Sequence, residues 1–205
     1  MAEIKRYVTP VFRVSFPELF EAKSYDGGKA KFGTAAIWTP REFSEVDKVR
    51  WKALMGALNE ASIENFKKPL KDLPVNIRRG IRDGAEKADL EGYGEGTRFA
   101  NLTTMMRPGV VDNVTGDDGK LLPIGPEHGN TDRIYPGCYC RATVNIYAYD
   151  NKGKGVSIGL MNLQFVKDGP RLDSRTDAAD DFADEVDEAW MEQGEASVPD
   201  EDFLD

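Results

Sequence analysis

Residues 135–169 read YPGCYCRATVNIYAYDNKGKGVSIGLMNLQFVKDG, and this stretch predicts a long β-hairpin. Pro136-Gly137 begins it, Asp150-Asn151-Lys152-Gly153 supplies the turn, and Lys167-Asp168-Gly169-Pro170 ends it. Clusters of Asp, Asn and Gly between apolar runs are typical of the turns that join two antiparallel strands.

The first arm of the hairpin alternates with the period of two that a half-buried strand requires. One face is small or apolar and is predicted to be buried: Cys138, Cys140, Ala142, Val144, Ile146 and Ala148. The opposite face holds Tyr139, Arg141, Thr143, Asn145, Tyr147 and Tyr149. Tyrosine and arginine are groups that stack on bases and pair with phosphates. The alternative is that the rings pack against a second layer of the fold, as large aromatic side chains usually do.

Two further strands and one long helix are predicted in the first third of the chain. Val11–Phe16 is predicted as a strand that Pro17 limits, and Lys29–Thr39 as a second strand. Ser44 is predicted as the N-cap of a helix over residues 45–66. The apolar residues that recur at helical spacing are Val46, Val49, Ala53, Leu54, Ala57, Leu58 and Ala61.

The middle of the chain predicts less regular structure. Trp51 is predicted to lie at the edge of the helix's apolar stripe, with no functional role. Residues 67–96 are predicted to form a loop or a short, frayed helix. Arg98–Met106 is predicted as a strand, with short arms at Val110-Val111 and Leu121-Leu122. Together these elements predict a mainly β fold, an OB-fold-like Greek-key β-barrel with one long helix.

Charge divides the chain near residue 176. Residues 177–205 hold thirteen of the 36 acids and none of the 27 bases, so they carry −13 while residues 1–176 carry +4. We therefore predict a domain over residues 1–176 and an acidic, mostly disordered tail over residues 177–205. An aromatic ring among acids near the end of the tail resembles single-stranded DNA in its charge and stacking. The predicted partner-binding residues are Asp200, Glu201, Asp202 and Phe203. The alternative is a tail that only keeps the protein soluble.

Basic and aromatic residues interleave through the rest of the chain. Binding a single strand requires cations along the phosphates and flat rings for the bases. The predicted DNA-binding residues are Arg78, Arg79, Arg82, Tyr93, Arg98, Phe99, Arg107, Tyr139, Arg141, Tyr147, Tyr149, Lys152 and Lys154. The alternative is an ordinary charged surface.

The motifs of common enzymes are missing from the sequence, which contains no P-loop, no G-x-S-x-G and no H-E-x-x-H. Cys138 and Cys140 are predicted as buried free thiols of a cytoplasmic protein, and with His128 alone they lack the ligands for a zinc site. A hydrolytic metal site would have to use the turn-rich residues Asp117, Asp118, Glu127, His128 and Asp132. In such turns Asp usually serves the backbone, so we predict no metal and no cofactor. No apolar run is long enough to span a membrane, and the polar first residues lead us to predict no signal peptide.

The hairpin, together with RDGAEK at 82–87, GYGEG at 92–96 and RPGVVD at 107–112, resembles a phage-encoded family of single-stranded DNA-binding proteins. The resemblance runs from Val8 to Pro170, and its members are similar to the OB-fold binding proteins of lytic-phage replisomes. It implies a non-enzymatic protein of the host-cell cytoplasm that coats single-stranded DNA during replication and recombination. It also implies a tail that contacts the polymerase and helicase, although Leu204-Asp205 here follow the aromatic residue that typically ends such tails.

Three other functions stay open from the sequence. An annealing or recombination mediator would use the same groove to hold two strands. A metal-dependent nuclease would use the turn carboxylates, and a virion or scaffold protein would use the acidic tail. The sequence also leaves the choice between a monomer and a homodimer undecided.

Overall fold

The computed structural model of the chain describes residues 4–24, 27–150 and 153–173. The predicted acidic tail over residues 177–205 lies outside the described residues, and so do the four predicted partner-binding residues and Lys152. No helix in the described part of the chain is long and apolar enough to cross a membrane.

The described residues form strands joined by short 3-10 helices and one long α-helix. The elements are β1 (Tyr7–Val8), β2 (Phe12–Lys23), β3 (Lys31–Trp38), α1 (Glu45–Phe66), β4 (Ile77–Arg78), β5 (Arg82–Asp83), β6 (Arg98–Thr104), β7 (Gly109–Thr115), β8 (Leu121–Pro123), β9 (Tyr139–Asp150) and β10 (Lys154–Lys167). The 3-10 helices cover Pro40–Glu42, Leu70–Asp72, Gly84–Lys87, Pro126–His128 and Thr131–Arg133.

Five of the strands close into a ring in the order β2, β3, β6, β10, β9 and back to β2. Neighbours in the ring are antiparallel except β6 and β10, which run parallel. β1 pairs with β9 on the same edge as β2, at Thr143 and Val144, and so extends the closure of the ring. β7 and β8 continue from β10. A closed ring of five strands in this mixed order fits the Greek-key barrel of the OB-fold. The prediction of a mainly β fold with one long helix is confirmed.

The predicted hairpin is formed by β9 and β10, which pair antiparallel along their whole length. Cys138, Cys140, Ala142 and Val144 are buried and Ile146 packs against the core, so the predicted inner face is confirmed for these five residues. Ala148, the sixth, is half-buried near the turn. The pairing contains two bulges, at residues 161 and 166. Both extra residues belong to β10, and the alternation of β9 is therefore intact.

The core fills the ring with side chains from all five strands. α1 lies against it and adds Leu54 and Leu58, which are fully buried. The larger strand side chains of this core are Phe12, Val14, Trp38, Leu102, Val144, Ile158, Leu163 and Phe165.

The helix has the predicted bounds and the predicted cap. The backbone N–H of Asp47 donates to the Ser44 hydroxyl oxygen (3.1 Å), and that hydroxyl donates to the Asp47 carboxylate (2.9 Å). The predicted apolar stripe is wrong at its start, because Val46 and Val49 are 58% and 69% exposed. Asp47 is turned inward to accept from the Val11 N–H (3.3 Å). Trp51 is half-buried and packs against the core, with its ring centroid 5.4 Å from that of Trp38, which agrees with the predicted place at the edge of the stripe. The cap therefore sets the face that the helix buries.

The prediction that Pro17 limits the first strand is wrong. β2 continues to Lys23, and its register with β3 shifts by one residue between Ser15 and Glu18. Phe16, in this bulge, has a φ of 48°. A bulge leaves the extra residue out of the ladder, so a proline there removes no required hydrogen bond.

The segment predicted as a loop or a short helix, residues 67–96, also contributes two short strands. β4 pairs in parallel with the start of β10, and β5 pairs with β6. Each of these strands has only two residues, and its partner is distant in the chain. Local periodicity could not reveal such pairings.

Candidate nucleic-acid interface

A cleft of about 1320 Å³ opens between α1, residues 69–83 and the strands β6, β9 and β10. It brings together six predicted site residues from three parts of the sequence: Arg78, Arg79, Arg82, Arg98, Phe99 and Tyr149. Sequence reasoning missed other residues that line it, among them Trp51, Met55, Lys71, Val75, Ile77, Asn101 and Ser157.

Three of the cleft arginines are presented by the turn between β4 and β5. Gly80 in this turn has a φ of 80°, and a Cβ there would lie 3.1 Å from both a Leu58 methyl carbon and the Val156 carbonyl oxygen. The turn therefore packs closely against α1 and β10, which only glycine permits at this φ. The position of this turn fixes where the backbones of Arg78, Arg79 and Arg82 lie.

The cleft carries an excess of positive charge. Arg98 pairs with Asp83 (2.9 Å), and Arg82 pairs with Glu86. Arg79 donates to the Leu73 carbonyl (2.9 Å). With Lys71 the lining has five cations against these two carboxylates. Such a lining attracts anions, and a concave wall of low dielectric concentrates the field.

The outer face of β9 presents rings that lie over glycines of β10. Tyr147 is directly opposite Ser157 in the register and lies beside Gly159, where a Cβ would be 3.3 Å from a ring carbon. Tyr149 is opposite Gly155, where a Cβ would be 2.7 Å from the phenol oxygen. Because the glycines leave this room, the rings rest on the strand, and Tyr147 is still 40% exposed. The alternative of deeply packed tyrosines is therefore not what the structure shows for Tyr147.

The outer face continues away from the cleft along the same strand. The Arg141 Nε donates to the Gln164 side chain (2.7 Å), and the Lys167 ammonium lies 4.7 Å from the Tyr139 ring centroid. Tyr139 and Tyr149 are ten residues apart on β9, which corresponds to roughly 30 Å of strand. The predicted residues Tyr139, Arg141, Tyr147 and Tyr149 thus form a strip along the outer face of β9. The strip begins at Tyr149, which also lines the cleft.

The prediction that Phe99 offers its ring to a base is wrong. The side chain is 1% exposed, because a cationic layer covers it. The Arg82 guanidinium lies 4.9 Å from the ring centroid and the Lys87 ammonium 5.0 Å from it, and the Tyr93 ring packs edge-on at 5.3 Å. Tyr93 is itself half-buried, and burial raises the pKa of its phenol while the neighbouring Ser15 hydroxyl opposes the shift.

Two other predicted residues lie apart from the cleft lining. Arg107 pairs with Glu127 (2.8 Å) and lies 5.8 Å from the Phe20 ring centroid. Lys154, next to the hairpin turn, pairs with Asp150 (2.9 Å). Both are exposed cations that the structure does not gather with the cleft arginines.

Lys87 is a cation that the predicted site residues did not include. Its ammonium lies 5.3 Å from the Tyr93 ring centroid and 5.6 Å from that of Phe16, in addition to its contact with Phe99. Burial first, and then the charge of Arg82, lowers the pKa of Lys87, while Asp89 opposes the shift. The RDGAEK sequence contained this lysine, but nothing in it indicated the surrounding rings.

The residues of a hypothetical hydrolytic site do not converge. Among the described residues no three His, Cys, Asp or Glu side chains lie together in a group that could hold a metal ion. Glu127 is occupied by Arg107, whose hydrogen bond lowers the pKa of the Glu127 carboxyl. Cys138 and Cys140 are buried free thiols whose sulfurs are 3.8 Å apart, and burial raises the pKa of Cys140.

Comparison with known proteins gives one family. The model of the family described as "Enterobacter phage Enc34, ssDNA-binding protein" matches residues 5–192. A curated relative, "Putative protein p50" of Acyrthosiphon pisum secondary endosymbiont phage 1, is 33% identical over 159 residues, which are 77% of this chain and 80% of the relative.

Solved structures give the same fold. The single-stranded DNA-binding protein from bacteriophage Enc34, solved in complex with ssDNA, is 20% identical with a TM-score of 0.64, over 82% of this chain and 89% of that chain. The single-stranded DNA-binding protein gp2.5 of bacteriophage T7 is 17% identical with a TM-score of 0.50, over 96% of this chain and 100% of that chain.

We predict that the close approach of β4 to β10 is a steric requirement for the cleft. Gly155→Ala would place a Cβ 2.9 Å from both the Cβ and the carbonyl oxygen of Arg78, so we expect the free energy of unfolding to fall by about 1–3 kcal/mol. Gly56→Ala is the matched control, since no atom lies within 4 Å of that position in α1. It should raise the free energy of unfolding by up to about 1 kcal/mol. Urea denaturation measures both, and equal shifts in the two variants would contradict the requirement.

Proposed function

The chain belongs to the family of the Enterobacter phage Enc34 ssDNA-binding protein, and from this premise we propose that it coats single-stranded DNA without sequence preference. One observation carries the proposal. The cleft arginines and the outer face of the hairpin meet at Tyr149, so cations and rings form one continuous surface.

The chemistry of this surface suits an unpaired strand. The cleft cations are placed to neutralise phosphates, and the Tyr147 and Tyr149 rings offer faces on which bases stack. Stacking contributes about 1–3 kcal/mol per base and tolerates every base, because each base has a π-face. A duplex offers its phosphates but keeps its bases stacked on each other, so it would use only half of this surface.

We expect the protein to prefer single strands and to bind them less tightly as salt rises. If each of the five cleft cations neutralises one phosphate, log Kobs against log[salt] should have a slope of about −3 to −4 for a single strand. Fluorescence anisotropy with single-stranded and duplex oligonucleotides of equal length, with and without magnesium, tests this. Equal affinity for the duplex, or a constant that does not change with salt, would refute the proposal.

The exposed ring on the hairpin should contribute directly to binding. Tyr147→Ala should weaken single-strand binding by about 1–3 kcal/mol, because it removes a stacking face. The melting temperature should change little, since the ring is not part of the core. Tyr147→Phe keeps the ring and should bind like the wild type. If Tyr147→Ala instead unfolds the protein, the ring has a packing role and the assignment is wrong.

The acidic tail is proposed to compete with DNA for the same surface and to dock replisome partners. Its charge of −13 opposes the +4 of residues 1–176, so at low salt it is drawn to basic surfaces. A flexible attachment would give it an effective concentration in the millimolar range, so even weak affinity would occupy the cleft part of the time. DNA would displace the tail and leave Phe203 free to contact the phage polymerase or helicase.

Removing the tail after Arg175 should therefore tighten single-strand binding, with the largest gain at low salt, and should abolish binding to the polymerase and helicase. Phe203→Ala in the full chain should weaken partner binding much more than it tightens DNA binding. Anisotropy at several salt concentrations and pull-down with the purified partners measure the two effects. A truncated protein that binds DNA no tighter at any salt would disprove the competition. Undiminished partner binding would disprove the docking.

A further inference from the structure

Phe16 has an unusual conformation for a residue with a large side chain. Its φ of 48° lies in the left-handed region, and Pro17 follows it, a residue that favours extended backbone before it. The other described residue with positive φ that is not glycine, Lys67, is the C-cap of α1, where this conformation is common. Phe16 therefore lies in a strained bulge, and bulges often aim a side chain in a particular direction.

The strain does not help to bury the ring. Phe16 is 56% exposed, whereas the neighbouring residues Val14 and Leu19 on the same strand are buried. A glycine would adopt this φ at no steric cost, and an exposed polar residue would avoid placing an apolar ring in water. A strained backbone that holds a large apolar ring in solvent points to a partner for that ring.

A cation lies beside the exposed ring. The Lys87 ammonium is 5.6 Å from the Phe16 ring centroid. It also contacts the rings of the buried Phe99 and the half-buried Tyr93. Lys87 is half-buried among these three rings, and this burial lowers its pKa. An anion in this position would gain more from the charge than one in open water.

The ring and the lysine lie next to the cleft. Arg82 contacts the Phe99 ring at 4.9 Å and also lines the cleft, and Lys87 contacts the same ring at 5.0 Å. Arg82 and Lys87 therefore both lie over the Phe99 ring, Arg82 on the side of the cleft and Lys87 on the side of Phe16. A chain of phosphates that follows Arg82 would reach Lys87 next.

We propose that Phe16 and Lys87 form a nucleotide subsite at the end of the cleft, in which the Phe16 ring stacks on a base and Lys87 neutralises the adjoining phosphate. This subsite rests on the proposed function and extends it. It assigns single-strand contacts to two residues of a bulge and a 3-10 helix, outside the hairpin.

The contributions of the two residues to binding can be measured separately, because Phe16 is proposed to contact a base and Lys87 a phosphate. In the full-length chain Phe16→Ala and Phe16→Leu should each weaken binding to oligo-dT by about fivefold or more, since neither keeps the ring. Neither should change binding to an abasic strand of equal length, which has phosphates but no bases. Lys87→Gln should weaken binding to both strands and make the salt slope less steep by about 0.7. Fluorescence anisotropy measures all of these.

Two controls distinguish the subsite from a structural role. Met106→Ala removes another apolar side chain, 80% exposed and outside the cleft lining, and should leave both affinities unchanged. Phe16→Gly should relieve the strained φ, so its melting temperature should be no lower than that of the wild type while oligo-dT binding still falls.

The failures of the subsite and of the proposed function are distinguishable. Wild-type protein that binds oligo-dT together with a Phe16→Ala variant that binds it equally well would overturn the subsite alone. An equal loss on oligo-dT and on the abasic strand would also overturn it, because stacking would not be the cause. Wild-type protein that binds no single strand would overturn the proposed function itself.

Discussion

Ring closure depends on the contact of β1 and the start of β2 with β9, on the edge opposite β10. Tyr7 and Val8 of β1, and Phe12 and Arg13 of β2, pair with β9. Two further hydrogen bonds extend the contact: Val14 donates to the Cys138 carbonyl (2.9 Å), and Gly137 donates to the Val14 carbonyl (2.8 Å). Gly137 has a φ of 111°, and a Cβ there would overlap the Pro170 carbonyl. Arg13 also donates to that carbonyl (2.7 Å), so both ends of the hairpin meet β2 at one point.

The closed ring also places the interface. One face of β9 is committed to the core, so its other face must look outward with whatever side chains alternate there. On β10, the strand paired with β9, Gly155 and Gly159 leave room for the rings of Tyr149 and Tyr147 to lie against the sheet. The same Gly155 admits β4 with Arg78 against β10. The placement of the tyrosine rings and that of Arg78 therefore both require glycine at position 155.

The parts of this structure that were predictable from the sequence are those set by local periodicity. The hairpin and the helix over residues 45–66 each carry their pattern within one segment, and the Ser44 cap is equally local. The buried face of the helix was not predictable, because a contact between Asp47 and the Val11 backbone turns it. The burial of Phe99 was also hidden, since the interleaved basic and aromatic residues around it could not show that Arg82, Lys87 and Tyr93 cover its ring.

Two of the cleft arginines form ion pairs that are weak enough for an incoming anion to replace. Arg98 with Asp83, and Arg82 with Glu86, are half-exposed pairs, and exposed ion pairs contribute only about 0–1 kcal/mol. Each carboxylate thus orients its arginine at little energetic cost to an incoming anion, which can replace it. The same weakness means that any flexible polyanion near the cleft would compete with phosphate on similar terms. What a carboxylate polyanion lacks is a series of bases, and we therefore propose that the rings beside the cations distinguish a nucleic acid from an acidic protein segment.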